Sequence, residues 1–583
     1  MTMRINSRIV RRRAARRAAG HRLRLACEPL ERRGMLSASV PGVGVDLDFD
    51  AAPRHPVEDH AGHEHVDHGS GTPVVECEGF PRWTVPPIVD PPVLPSFPLA
   101  STFQLHSRPS ARHVVYLDFD GHTTQDTWWN DMYTDDKAFT TPAYSIDADP
   151  AFSNQELANI QDIWARVAED FAPFDVDVTT QAQPVERLRR LGSKDQNWGV
   201  RVVIGGTCLQ WYKPDFAGSA YRESFTWDSD TPCFVFEEET ANGDPFATAL
   251  TTSHEVGHTL GLRHDGRTMA QEEYYRGHGE GSTSWRPIMG SGRDARVVQW
   301  SRGEYADASN TEDDLAIITS RNGFGYRPDE YGDNLATATL VPTPGGTAVV
   351  TGVITHAGDV DVLRFFTWDR VTVTVRPDTR SPNLDVLARI WNASGTLIQT
   401  SNPVDALDAS FDLTLAPGFY ALAIRGTGKG TASDGYTAYG SIGPYTVSLQ
   451  TNPQPPQVSI TATDAVQAEG AAGSKPFTFT ITRSGSTTGT TTAAWSVVKT
   501  GSTATATDFA GGVLPAGKVS FAPGQTTALV NVFVAGDYIL EPHETFVVRL
   551  TQVQGGSIGT ATATGTIFND DLYRTAIVVA AAT

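Results

Sequence analysis

The stretch HEVGHTLGLRHD, residues 254–265, constrains this chain more than any other. Asp244 and Pro245 suit an N-cap and a first helical turn, so the spacing predicts a helix opening there and running through FATALTTSHEVGHTLGL. On that helix His254 and His258 stand four positions apart and project from one face. Gly261 can take the left-handed conformation that ends a helix, and the turn brings His264 back towards the pair. Tetrahedral zinc binds imidazole nitrogen at about 2 Å, and three protein ligands with one open position mark a catalytic rather than a structural site. Glu255, one step round, sits beside such a metal rather than on it. There it can take a proton from a water whose pKa the metal lowers to about 7.

The remainder of the chain must house this site and much else. At 583 residues it is too long for one core and suits about three or four domains. The net charge of −21 is uneven: residues 1–33 hold eleven arginines against Glu28 and Glu31, so the rest carries about −30. An acidic body argues against a nucleic-acid partner, which would need its phosphates neutralised. It suits an exported protein, and acidic loops also hold calcium. No apolar run reaches transmembrane length, and the tail TAIVVAAA is too short to span. Cys208 and Cys233 fall in one expected domain; they either pair as a disulfide, if the protein is extracellular, or stay as two buried thiols.

Composition divides the chain. Residues 1–38 form a basic N-terminal segment, with the charged start of a signal but no apolar stretch of ordinary length. Residues 39–107 read as a disordered linker or pro-region, with a histidine tract, His55 to His68, and a proline-rich spacer. Order is expected from the alternating strand ARHVVYLDFDGHT. Ser153 and Glu156 form a capping box for a helix whose Leu157, Ile160, Trp164, Val167 and Phe171 share an apolar face. With strands following, 108–325 is expected to be an α+β domain. Residues 331–450 and 458–572 each show seven short β runs without helical period, which argues for two different all-β sandwiches, with 573–583 as a tail. QTNPQPPQ links them.

HEVGHTLGLRHD matches the extended zinc motif of the metzincin metallopeptidases at His254, Glu255, His258, Gly261 and His264, with Asp265 as in the reprolysin/adamalysin-like group. The resemblance implies an α+β peptidase domain and a methionine turn beneath the metal. Met289, in SWRPIMGSG, fills that place; Met269 lies too close to His264 for the return loop. The position two residues after Met289 is Ser291, so the tyrosine that some members carry there is missing, and His278 is a candidate donor in its stead. Cys77 precedes the domain as a candidate latency thiol, although VVECEGFPRW departs from the matrixin pattern.

LACEPLERRGMLSA resembles the N-terminal segment of large exported proteins of planctomycete bacteria. GDVDVLRFFT, APGFYALAIRG and YTVSL resemble the pre-peptidase C-terminal domain that accompanies secreted peptidases. GSTATATDF, DYILEPHETFVVRL and FNDD resemble a Calx-beta domain. That resemblance implies calcium held among Glu469, Asp508, Asp537, Glu541, Glu544, Asp570 and Asp571, an oxygen-only set of the kind calcium prefers. Together these features give the expectation of a secreted zinc endopeptidase acting on proteins or peptides, at the cell surface or in a matrix. The alternative is a non-catalytic adhesion protein whose calcium-binding β modules carry its role. Glu255 speaks against it, since a degenerate site has no chemical need for that carboxylate.

Overall fold

The computed structural model describes residues 94–571, apart from 148, 213–215 and 292–294, together with the backbone of 75–78. The N-terminal segment, the histidine tract and the tail lie outside the described residues. The first strand is β1 (Val75–Glu78). After it come β2 (His113–Asp118), β3 (His122–Thr124), α1 (Trp128–Tyr133) and β4 (Phe139–Thr141). The long helix α2 (Asn154–Asp170) opens on the expected capping box, with Ser153 accepting from the Glu156 amide and Glu156 from the Ser153 amide. Then follow β5 (Val176–Thr179), β6 (Gly199–Ile204), β7 (Gly218–Tyr221) and β8 (Cys233–Val235).

These strands form one mixed sheet in the order β1-β7-β8-β6-β2-β5. Pairing is parallel from β5 through β2 and β6 to β8, and antiparallel for β7 and β1. Helix α2 and helix α3 (Pro245–Thr259) pack together on one face of this sheet. Asp244 caps α3 through the Ala247 amide, with Pro245 in the first turn, as the residue types predict. A parallel pair, β9 (Trp285–Pro287) and β10 (Val297–Gln299), and helix α4 (Asp314–Arg321) complete this part.

One feature differs from expectation, and one open choice is decided. Residues 94–107, assigned above to a disordered linker, pack on α2: Thr102 and Leu105 are buried, and Phe97 exchanges hydrogen bonds with Gln161. The apolar spacing of Phe97, Phe103 and Leu105 is too short to show as a period, yet it meets the helix face. Nor do Cys208 and Cys233 form a disulfide. Side chains alternate along strands. Phe234 joins an aromatic cluster with Trp129, Trp211 and Cys208, while its neighbour Cys233 points into the helix-side core, so the sheet separates the two thiols.

Each all-β segment folds as two facing sheets. In 331–450 a five-stranded sheet opposes one of four strands. In 457–568 a four-stranded sheet opposes one of five. The cores are distributed unevenly. Val371, Val373, Leu384 and Ile442 of the first sandwich belong to the same buried cluster as Val167, Phe171, Val256 and Met289. The second sandwich keeps its own core around Phe477, Phe479, Phe521 and Phe546. No helix among the described residues is long and apolar enough to cross a membrane.

A shared core makes a shared cooperative unit. Calorimetry of the intact chain should therefore show residues 94–450 melting in one transition and 457–568 in a second. Separate transitions for 94–326 and 331–450 would contradict a continuous core.

Candidate metal centres

Helix α3 is buried from Phe246 to Thr259, and His254, Glu255 and His258 are 0 % exposed. Gly261 then takes φ +108°, in the left-handed region that glycine tolerates, and the chain reverses. The reversal delivers His264 where its spacing predicts. His258 Nε2 lies 3.1 Å from His254 Nε2 and 3.0 Å from His264 Nε2. Nitrogens arranged tetrahedrally around zinc at about 2.05 Å would stand about 3.3 Å apart, so the three rings converge at metal-binding range.

What turns the rings inward is the other nitrogen of each. His254 Nδ1 donates to the Ile288 carbonyl at 2.9 Å, and His258 Nδ1 to the Leu262 carbonyl at 2.9 Å. His264 Nδ1 lies 3.3 Å from the Glu273 carboxylate. Since a carbonyl only accepts, Nδ1 carries the proton on the first two rings, and Nε2 keeps the lone pair a metal needs. Burial, with His258, His254 and Arg222 nearby, holds His264 far below the ordinary histidine range, so it too stays neutral.

Glu255 sits beside this group against β7. A Cβ on Gly218 would meet Glu255 Oε1 at 2.3 Å, so only glycine leaves that space for the carboxylate. Met289 is buried beneath the helix, where a Cβ on Gly257 would meet its Sδ at 2.5 Å. The Asp265 amide donates to the Met289 carbonyl and ties the return loop to the chain after the third histidine. His278 is not brought to the site: it bonds Tyr275 and the Gly435 carbonyl of the first sandwich. The residue sequence reasoning missed is Tyr274, whose ring lies 4.4 Å from that of His264. It falls in a segment without periodic pattern, so only its nearness to Glu273 and His264 in space singles it out.

Backbone pairing places β1 antiparallel on β7, with Glu78 across from Gly218 and Cys77 across from Ser219. The segment carrying the candidate latency thiol thus occupies the sheet edge next to Glu255.

A second metal-type group lies at one end of the 457–568 sandwich. Asp508, Glu541 and Glu544 bring carboxylate oxygens within 4.8 Å of one another. Glu469, Asp537, Asp570 and Asp571 surround them: burial, then Asp537, Glu541, Asp571 and Asp570, push Glu469 up to about 7. Burial and Asp508 push Glu544 up to about 7 as well. All seven expected acids therefore share one end. A third group, Asp329 with Asp359 and Asp361 of the first sandwich, was not singled out in the sequence because Asp329 stands thirty residues before the other two; it too could hold a divalent cation.

No family model matches the chain. No curated relative matches it either. Among solved structures it is similar to the apo-form CBD1 domain of Calx, with 22% identity, 20% of this chain and 100% of that one covered, and a TM-score of 0.18. It is also similar to the pre-peptidase C-terminal domain of a collagenase from Bacillus anthracis, with 15% identity, 21% and 98% coverage, and a TM-score of 0.15. A β-galacturonidase from Eisenbergiella tayi overlaps 38% of this chain at 8% identity, with 35% of its own length covered and a TM-score of 0.13.

The carboxylate cluster sets a pH dependence. Glu469 and Glu544 have folded-state pKa values near 7, above their ordinary 4.5. Their contribution to stability is complete below the unfolded value and lost as pH rises through about 7. Without calcium, the second sandwich should melt lower at pH 7.5 than at pH 5; about 1 mM calcium should reverse this by several degrees. A melting temperature unmoved by either change would exclude a calcium site there.

Proposed function

We propose that this chain is a secreted zinc endopeptidase of metzincin type, with residues 94–326 as its α+β catalytic part and calcium stabilising its Calx-beta-like module. The observation that carries this reading is the convergence of three Nε2 atoms beside Glu255, with each ring anchored through Nδ1. The donor set, all neutral imidazole with an acid beside it, suits zinc. His254, His258 and His264 would hold the ion. When bound, zinc supplies a Lewis acid that polarises a carbonyl and acidifies water.

The chain's own residues do the rest. Glu255 takes the proton of the attacking water on its carboxylate and later gives it to the leaving amine nitrogen, so the proton is conserved through peptide hydrolysis. Gly218 leaves Glu255 its place, and Met289 supports helix α3 from below. Tyr274, packed on His264, is the nearest candidate to take the place of the tyrosine absent at Ser291. An extended substrate would add as a strand to β7, through main-chain hydrogen bonds that are indifferent to side chain. Since β1 already occupies that edge, the chain is proposed to be latent until this segment leaves.

Glu255→Gln should retain one zinc per chain and lose casein hydrolysis by at least about a hundredfold. Near-normal hydrolysis by that variant would exclude the proposed base, and a chain beginning at residue 94 that hydrolyses nothing with zinc bound would favour the adhesion reading. A chain beginning at residue 94 should cleave peptides faster than the full chain, and a synthetic peptide of residues 73–80 should inhibit it competitively. Equal rates for the two chains would remove the latency.

A further inference from the structure

The first sandwich does more than share a core with the sheet-and-helix part. Helix α2 has a polar face that, by its spacing, belongs in water, yet Asp162, Arg166, Glu169 and Asp170 are all buried. The loop 380–383 of the sandwich covers them. Arg166 Nη1 donates to the Arg380 carbonyl at 2.7 Å, and Arg380 Nε lies 3.0 Å from Asp162. The Asn383 amide donates to Glu169 Oε1 at 2.9 Å. Buried polar groups at such a seam must be bonded, and these are bonded across it.

One set of these bonds closes on the candidate zinc centre. Starting at His254, Nδ1 donates to the Ile288 carbonyl at 2.9 Å, and the Ile288 amide donates to the Gln299 carbonyl at 2.8 Å. Gln299 Nε2 donates to the Asn383 carbonyl, and Asn383 Nδ2 donates to Asp170 Oδ1 at 2.8 Å. Asp170 Oδ2 accepts from Ser253 Oγ at 2.5 Å, and Ser253 precedes His254 in the chain. The path is a ring: it leaves the histidine through its side chain and returns through its backbone. His254, Ser253, Asp170, Asn383 and Gln299 are each no more than 3 % exposed. Every member but Asn383 lies in the sheet-and-helix part.

We propose that Asn383, supplied by the β-sandwich, is a positioning residue for the zinc centre, fixing His254 from both its ring and its backbone. This rests on the zinc-peptidase reading above. The physical reason is that a metal-bound imidazole holds its angle only as well as the partner of its distal nitrogen is held. Here that partner, the Ile288 carbonyl, and the helix turn before His254 are referred to one residue, the first through the Asn383 main-chain carbonyl and the second through its side-chain amide. The sandwich is then part of the peptidase rather than a removable companion.

The experiment compares Asn383→Ala with Arg380→Ala in the full chain. Both remove a bond across the same seam, but only the first opens the ring. Asn383→Ala should lower zinc affinity, read by competition with a chromogenic chelator, by about tenfold or more. It should also shift the visible absorption of the cobalt-substituted protein and, in a chain beginning at residue 94, lower kcat by about tenfold, with KM changed less than about twofold. Arg380→Ala should lose melting temperature while keeping zinc affinity and the cobalt spectrum. If Asn383→Ala does not fold, Ser253→Ala opens the ring from inside and should give the same two changes. Asn383→Ala or, failing it, Ser253→Ala with parental affinity and spectrum would overturn the proposal while leaving the peptidase reading intact. A parent chain that takes up no zinc would overturn both.

Discussion

Three imidazoles converge at the end of helix α3 because each has its outer nitrogen engaged elsewhere. Were Nδ1 of His254 and His258 not committed to the carbonyls of Ile288 and Leu262, either tautomer would be open and the rings could rotate. The two carbonyls lie on the segment around Met289 and on the turn after Gly261. Anything that displaces those segments therefore displaces the three converging nitrogens. The site depends less on the helix that carries two of its histidines than on what packs against that helix.

That dependence explains a costly feature of the fold. Burying Asp162, Arg166, Glu169 and Asp170 removes four ionisable groups from water, which is unfavourable unless each finds partners. Glu169, pushed well above the carboxylate range by burial and by Asp170, favours its neutral form, which removes one charge from the seam. Asp170 keeps two donors, Ser253 and Asn383. A purely apolar seam would join the two parts as firmly. A bonded one also fixes their register, because a hydrogen bond is lost within fractions of an ångström where an apolar contact merely slides.

The convergence of the three histidines was legible because its information is local: helix period, one glycine and a short return. So were the caps at Ser153 and Asp244, which need only neighbours three residues on. The seven acids of the second sandwich could be grouped by resemblance, and the fold brings them to one end. What the sequence did not reveal is long-range. Nothing in the spacing of α2 distinguishes a solvated polar face from one covered by residues 380–383, since both read as amphipathic. Tyr274 has no periodic context at all. The cysteines stayed undecided for a related reason. Adjacent strands in one domain suggest a bridge, but whether a thiol faces one side of the sheet or the other is set by register, and Cys208 lies beyond the strand where alternation no longer applies.

The separate core of the second sandwich follows from the same physics run the other way. The linker QTNPQPPQ ends the first module on a strand that closes its own sheet, and proline there keeps the chain from extending that pairing. With no polar face of a helix to cover and no shared apolar cluster, the second module must satisfy itself. It does so around Phe477, Phe479, Phe509, Phe521 and Phe546 and gathers its unbalanced charge at one end. Charge of one sign concentrated on an independent core can be relieved by a cation without disturbing the histidine site. The acids that burden this module sit on a core that shares no residue with the cluster packed around the helix that carries Glu255.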